Sequence, residues 1–110
     1  MLISTMNDVP GHEVTEVIGE VFGLTVRSRN VGAQIGAGLK SILGGELKGM
    51  TKQLIESRKE AIARLTEEAE AVGANCVLAM RFDVSDLGGN TMASEICAYG
   101  TAVKINKAQK

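Results

Sequence analysis

Residues 50–85 read MTKQLIESRKEAIARLTEEAEAVGANCVLAMRFDVS. This stretch holds a long helix, a stop and a strand, and the rest of the chain is placed by asking what covers them. From Thr51 to Val72 the apolar residues Leu54, Ile55, Ala61, Ile62, Leu65, Ala69 and Val72 recur at helical spacing. Glu56, Lys59, Glu60, Arg64, Glu67, Glu68 and Glu70 take the opposite side. Arg58 falls between the apolar pairs and can lay its stem along them. Glu60 and Arg64 stand four residues apart in the favourable order for a helical ion pair. Gly73 supplies the stop. From Cys76 to Val84 the chain then alternates Cys76, Leu78, Met80, Phe82 and Val84 against Val77, Ala79, Arg81 and Asp83, as a strand does.

Before this stretch, Leu2–Thr5 reads as a brief strand and Asn7–Gly11, with the only proline at Pro10, as a turn. Glu13–Ser28 reads as a long strand. Within it Gly19 and Gly23 mark a bulge, or a place where another backbone comes close. Val31, Ile35, Leu39 and Ile42 are spaced for a second, shorter helix over Val31–Leu43, weakened by Gly32, Gly36 and Gly38. Gly44-Gly45 ends it, and Glu46–Gly49 is a loop. After the central stretch come a turn at Asp86–Asn90, a last strand at Thr91–Ile105 and a polar tail, Asn106–Lys110. The order β–α–α–β–β defines a two-layer α+β domain over residues 1–105, with both helices on one face of a small sheet.

Two helices cover one face only. Yet the last two strands are apolar on both parities: Val77, Ala79, Ile96, Ala98 and Ala102 on one, Leu78, Met80, Phe82, Cys97 and Val103 on the other. A sheet with one face in water alternates apolar with polar. The second face therefore needs a cover, and the simplest is another copy of the chain.

Composition narrows the function. A net charge of −1 with no basic block leaves nothing to track a phosphate backbone, and three aromatics in 110 residues leave little for bases to stack on, so nucleic acid is not the expected partner. No apolar run approaches the roughly 18 residues of a membrane span, and Met1–Pro10 lacks the pattern of a signal peptide. The expected compartment is the cytoplasm, where Cys76 and Cys97 are free thiols.

No motif announces a reaction. A structural zinc site needs about four Cys or His ligands at short spacings. Here Cys76, Cys97 and His12 stand far apart in sequence. An odd pairing sum in the final hairpin would put Cys76 and Cys97 on one face, and a one-residue slip would separate them. A soft-metal site from two thiolates, with ligands shared between subunits, is the alternative to simple packing. A Cys–His nucleophile would have to use His12, and the carboxylates Glu13, Glu16, Glu20, Asp83, Asp86 and Glu95 show no diagnostic spacing. Gly44-Gly45-Glu46-Leu47-Lys48 is not a phosphate loop, and Gly36-Ala37-Gly38 lacks the third glycine of a dinucleotide fingerprint. Arg27 and Arg29 flank the expected start of the short helix; they would hold an anion there, or an acid of a neighbouring subunit.

Thr5-Met6-Asn7, the strand Val14–Gly23, Arg27-Ser-Arg-Asn30, Ile42-Leu43-Gly44-Gly45, Gly73-Ala74-Asn75-Cys76-Val77 and Tyr99-Gly100-Thr101-Ala102-Val103 form an ordered set. Together they resemble the YbjQ-like family, which carries a heavy-metal-binding label, over Ile3–Val103. The resemblance implies a dodecin-like fold, an antiparallel sheet with the last strand in its middle, and a ring-shaped homo-oligomer, a pentamer. The expected function is a ring-forming binding or scaffold domain with no catalysis and no cofactor. Soft-metal binding through Cys76, Cys97 and His12 is the alternative, and an enzyme with a pocket between subunits the third.

Overall fold

Gly73 turns the chain from helix to sheet with a left-handed φ of 86°. Its N–H donates to the Glu70 carbonyl and the Ala74 N–H to the Ala69 carbonyl, each at 3.0 Å. These two bonds close a helix end of the Schellman type, with Ala74 buried against Ala69. In the computed structural model, which describes residues 1–28, 43–86 and 93–108, the elements are β1 (Leu2–Ile3), β2 (His12–Ser28), α1 (Leu43–Ala71), β3 (Cys76–Asp86) and β4 (Ala93–Lys107). The short helix expected over 31–43 falls outside the described residues except for Leu43, and so does most of the turn expected over 86–90.

Helix α1 begins eight residues before Thr51. It runs through Gly44, Gly45 and Gly49, where the sequence suggests a stop and a loop. Each glycine costs about 1 kcal/mol in a helix, but once a helix is nucleated every added residue brings a hydrogen bond. The strong segment after Thr51 carries the weak one before it.

The sheet order is β1-β3-β4-β2. As the family resemblance implies, the last strand is interior. The sheet is nevertheless mixed, because β1 runs parallel to β3. Its register is fixed by the bond from the Leu2 N–H to the Asn75 carbonyl and from the Ser4 N–H to the Val77 carbonyl. Strand β4 continues through Asn106 and Lys107, which pair with Glu13 and His12; backbone pairing extends the strand into residues that look like a polar tail. Asn75 reinforces the join: its side-chain amide donates to the Ile105 carbonyl at 2.9 Å and accepts from the Ile105 N–H at 2.8 Å.

Helix α1 packs chiefly over β2 and β4. Ser57, Ala61, Leu65 and Ala69, four residues apart, are its buried line. Ala61, Leu65 and Ala69 meet Val21, Ile96, Ala98 and Ala102, with Val77, Met80 and Phe82 contributed by β3. The aliphatic side chains bring the helix so close that a Cβ at Gly23 would overlap the Leu65 nitrogen and the Ala61 oxygen. Arg58 does more than lie along the apolar stripe: its guanidinium stands 4.9 Å over the Phe82 ring, a cation–π contact. The ion pair of Glu60 with Arg64 forms at 2.6 Å.

The simple alternation of β3 does not hold. Leu78 faces Thr101, but Arg81 faces Tyr99, so one extra residue sits between them. This bulge reverses the parity of the strand. Cys76 and Leu78 look away from α1, whereas Met80 and Phe82 look toward it. Ala79 takes a left-handed φ of 55° in the bulge. The N-terminal segment holds it there: the Ala79 N–H donates to the Met6 carbonyl at 2.8 Å, the Met80 N–H to Ser4 at 2.9 Å, and Arg81 to Thr5 at 2.8 Å. Gly100 lies opposite, where a Cβ would sit 2.6 Å from Val77 Cγ1 and 2.8 Å from the Leu78 oxygen.

Candidate functional site

The sheet face turned away from α1 has two halves. In one, Cys76, Leu78, Val103 and Ile105 form a small buried cluster, with Val9 of the N-terminal turn packed on it. In the other, Phe22 pairs with Tyr99, Leu24 with Cys97 and Val26 with Glu95. Paired residues share a face, so Phe22, Leu24, Val26, Cys97 and Tyr99 form one apolar stripe with Glu95 at its end. It is bare: Phe22 is 51% exposed, Val26 57% and Tyr99 39%. The expectation of an apolar second face therefore holds, but strands β2 and β4 supply its open part, not β3, whose parity the bulge reverses. The signal was present in the sequence as the apolar parity Phe22, Leu24, Val26.

Carboxylates surround the stripe. Asp83 lies opposite Cys97 on β3, Glu95 sits beside it on β4, and Glu20 is on β2 opposite Thr101. Partial burial pushes the Cys97 thiol above the ordinary thiol range, and the charges of Glu95, Asp83 and Glu20 push it further. Arg81 shares this face with Tyr99, and its guanidinium is turned to the Thr5 and Met80 carbonyls.

The proposed metal ligands occupy separate rows. Cys76 and Cys97 do share a face, but Cys76 is level with Val103, six positions along β4 from Cys97. At about 3.4 Å per residue that is about 20 Å. His12 is farther out, opposite Lys107, with Nδ1 3.3 Å from the Pro10 carbonyl. Among the described residues no group of three or more His, Cys, Asp or Glu side chains is placed to hold a metal ion. Arg27 pairs with Ser94 in the ladder, and Arg29 lies outside the described residues. Among the described residues no helix is long and apolar enough to cross a membrane.

Cys76 is fully buried among aliphatic side chains, and that burial raises its thiol pKa. Its neutral form is therefore favoured by folding. That contribution is complete below the ordinary thiol range and is lost as pH rises through the raised folded-state value. Cys76→Ser, which places a hydroxyl in this cluster, is expected to cost about 2 kcal/mol in denaturant unfolding. Cys97→Ser, at a half-buried position, should cost less, about 1 kcal/mol or below. Equal losses would contradict the packing role of Cys76.

Comparison with known proteins agrees with this fold. A family model described as "Putative heavy-metal-binding" matches residues 1–106. A UPF0145 protein of Streptomyces griseus is 63% identical over 107 residues, covering 97% of this chain and 87% of that protein. One from Acidothermus cellulolyticus is 61% identical over 107 residues, 97% of both chains. The UPF0145 protein YjfJ of Lactococcus lactis is 50% identical over 107 residues, 97% of this chain and 96% of that protein. The chain belongs to this YbjQ-like, UPF0145 family. A crystal structure of a protein of unknown function from Pediococcus pentosaceus, of the DUF74 family, superposes with a TM-score of 0.59. At 15% identity, and with 96% of this chain and 98% of that one covered, it shares the fold.

Proposed function

We propose that the chain works as a self-assembling binding or scaffold module, without catalysis of its own, and that its working form is a closed ring of dodecin-like plan. The observation that carries this reading is the bare stripe of Phe22, Leu24, Val26 and Tyr99 on the sheet. Contiguous apolar surface of this kind is uncommon on a soluble monomer and ordinary at an interface. The shape points the same way. The Cα radius of gyration is 17.8 Å, whereas a compact domain of this length has about 13 Å. Five subunits is the number the family resemblance suggests.

Native mass spectrometry at micromolar concentration, with light scattering alongside, is expected to give one discrete multimer at five times the chain mass. A different closed number would correct the stoichiometry. A monomer would overturn the proposal.

A further inference from the structure

Residues 51–56 of α1 lie outside its packed part. Gln53 lies four residues before Ser57, on the same azimuth as the buried line, yet every residue from Thr51 to Glu56 is exposed. Leu54 (58% exposed) and Ile55 (50% exposed) project from this segment. Lys52, Ile55 and Lys59 follow one another at helical spacing of three and four, with Glu56 between the two lysines, so the charge beside the apolar pair is net positive.

These features complement the bare stripe in chemistry and in sign. One surface is an apolar ridge with lysines; the other is an apolar strip rimmed by Glu20, Asp83 and Glu95. Two bare stripes placed face to face would oppose carboxylate to carboxylate, which disfavours a two-fold sheet-to-sheet dimer. Strand addition along the outer edge of β2 is disfavoured too. Its register is broken by irregularities at Val14/Glu16 and Val17/Gly19, and the Arg64 guanidinium occupies the Leu24 carbonyl.

Resting on the self-assembly proposed above, we infer that the interface is head-to-tail: the exposed segment of α1 in one copy, through Leu54 and Ile55, docks on the Phe22–Leu24–Val26–Tyr99 stripe of the next. An interface between two different patches is the kind that generates rings. Lys52 and Lys59 of one copy then meet the acidic rim of its neighbour.

The test is chemical cross-linking of the full chain in a Cys97→Ser background, where Cys76 is buried and unreactive. A protein carrying both Leu24→Cys and Leu54→Cys, treated with a short bismaleimide, is expected to give a ladder of covalent multimers on a denaturing gel. Each single variant should stay at the monomer position. Covalent dimers from Leu24→Cys alone would mean sheet-to-sheet packing, and from Leu54→Cys alone helix-to-helix packing; either overturns the inference. A multimer by native mass spectrometry whose double variant gives no ladder leaves the self-assembly standing and removes this interface. A monomeric wild type removes both. As a second readout, Lys52→Glu with Lys59→Glu should weaken assembly at least tenfold, and Glu20→Lys with Glu95→Lys should restore it. Failure of both changes to move the assembly equilibrium would also overturn the inference.

Discussion

Gly23→Ala is expected to destabilise the fold by about 3 kcal/mol, the upper end of the range for inserting an atom into a packed contact. On propensity alone the sign would be the opposite. Replacing glycine by alanine where the backbone permits it stabilises by about 0.4–1 kcal/mol, through the entropy of the unfolded chain. The difference is made by α1. A Cβ on Gly23 would meet backbone atoms of Ala61, Arg64 and Leu65, and backbone cannot swing aside as a long side chain can. The helix would have to lift from β2 along its buried line, losing contacts at Ala61 and Leu65 together. Gly49→Ala is the control, because nothing lies within 4 Å of a Cβ there and the residue is in the exposed part of α1. It should stabilise by about 1 kcal/mol. Both are read from urea midpoints at fixed protein concentration, since the proposed assembly would make stability concentration-dependent. A neutral Gly23→Ala would mean that the helix does not seat on the strand as described.

Leu65→Ala should be at least as damaging, at about 3–4 kcal/mol. The side chain is fully buried at the centre of the main cluster. Truncating such a leucine removes its transfer free energy and leaves a cavity that the neighbours fill incompletely. Here the neighbours are a stiff sheet and small alanines, Ala61, Ala98 and Ala102, which have little reach. The two substitutions touch the same contact, so their combination is informative. The overlap at Gly23 is with the helix backbone, so removing the Leu65 side chain should not rescue Gly23→Ala. Rescue would place the clash on the leucine side chain.

Much of the fold is legible in the sequence, for reasons that can be traced to particular residues. The periodicity from Leu54 to Ala69 marks α1, and Gly73 marks its end because the turn needs a left-handed residue there. Gly19 and Gly23 were expected at a bulge or a close backbone approach. Gly19 lies at a break in the β2 register, and Gly23 lies under the helix. What is not legible is set by contacts between distant segments. The bulge at Ala79 depends on Ser4 and Met6 reaching across to β3, more than seventy residues away in the chain. No local preference of alanine predicts a positive φ. The reversal of parity that follows decides which apolar residues face α1. The helical state of Gly44 and Gly45 is likewise inherited from the helix that follows them. The candidate site is legible only in part: the pattern Phe22, Leu24, Val26 announces an apolar face, but the acidic rim requires the pairing that brings Asp83 and Glu20 to the same face as Cys97.

The interior position of β4 has a consequence for how the molecule comes into being. Among the described strands, β2 pairs only with β4, and β3 pairs with β4 and with the two-residue β1. A chain emerging from the ribosome therefore holds β2 and β3 without their common partner until the last strand is made. Closure of the sheet waits for β4, and joins segments far apart in sequence, the kind of topology that folds slowly. Until then the strand carrying Phe22, Leu24 and Val26 waits unpaired. In that interval a nascent chain is most exposed to mispairing with its neighbours on the same message.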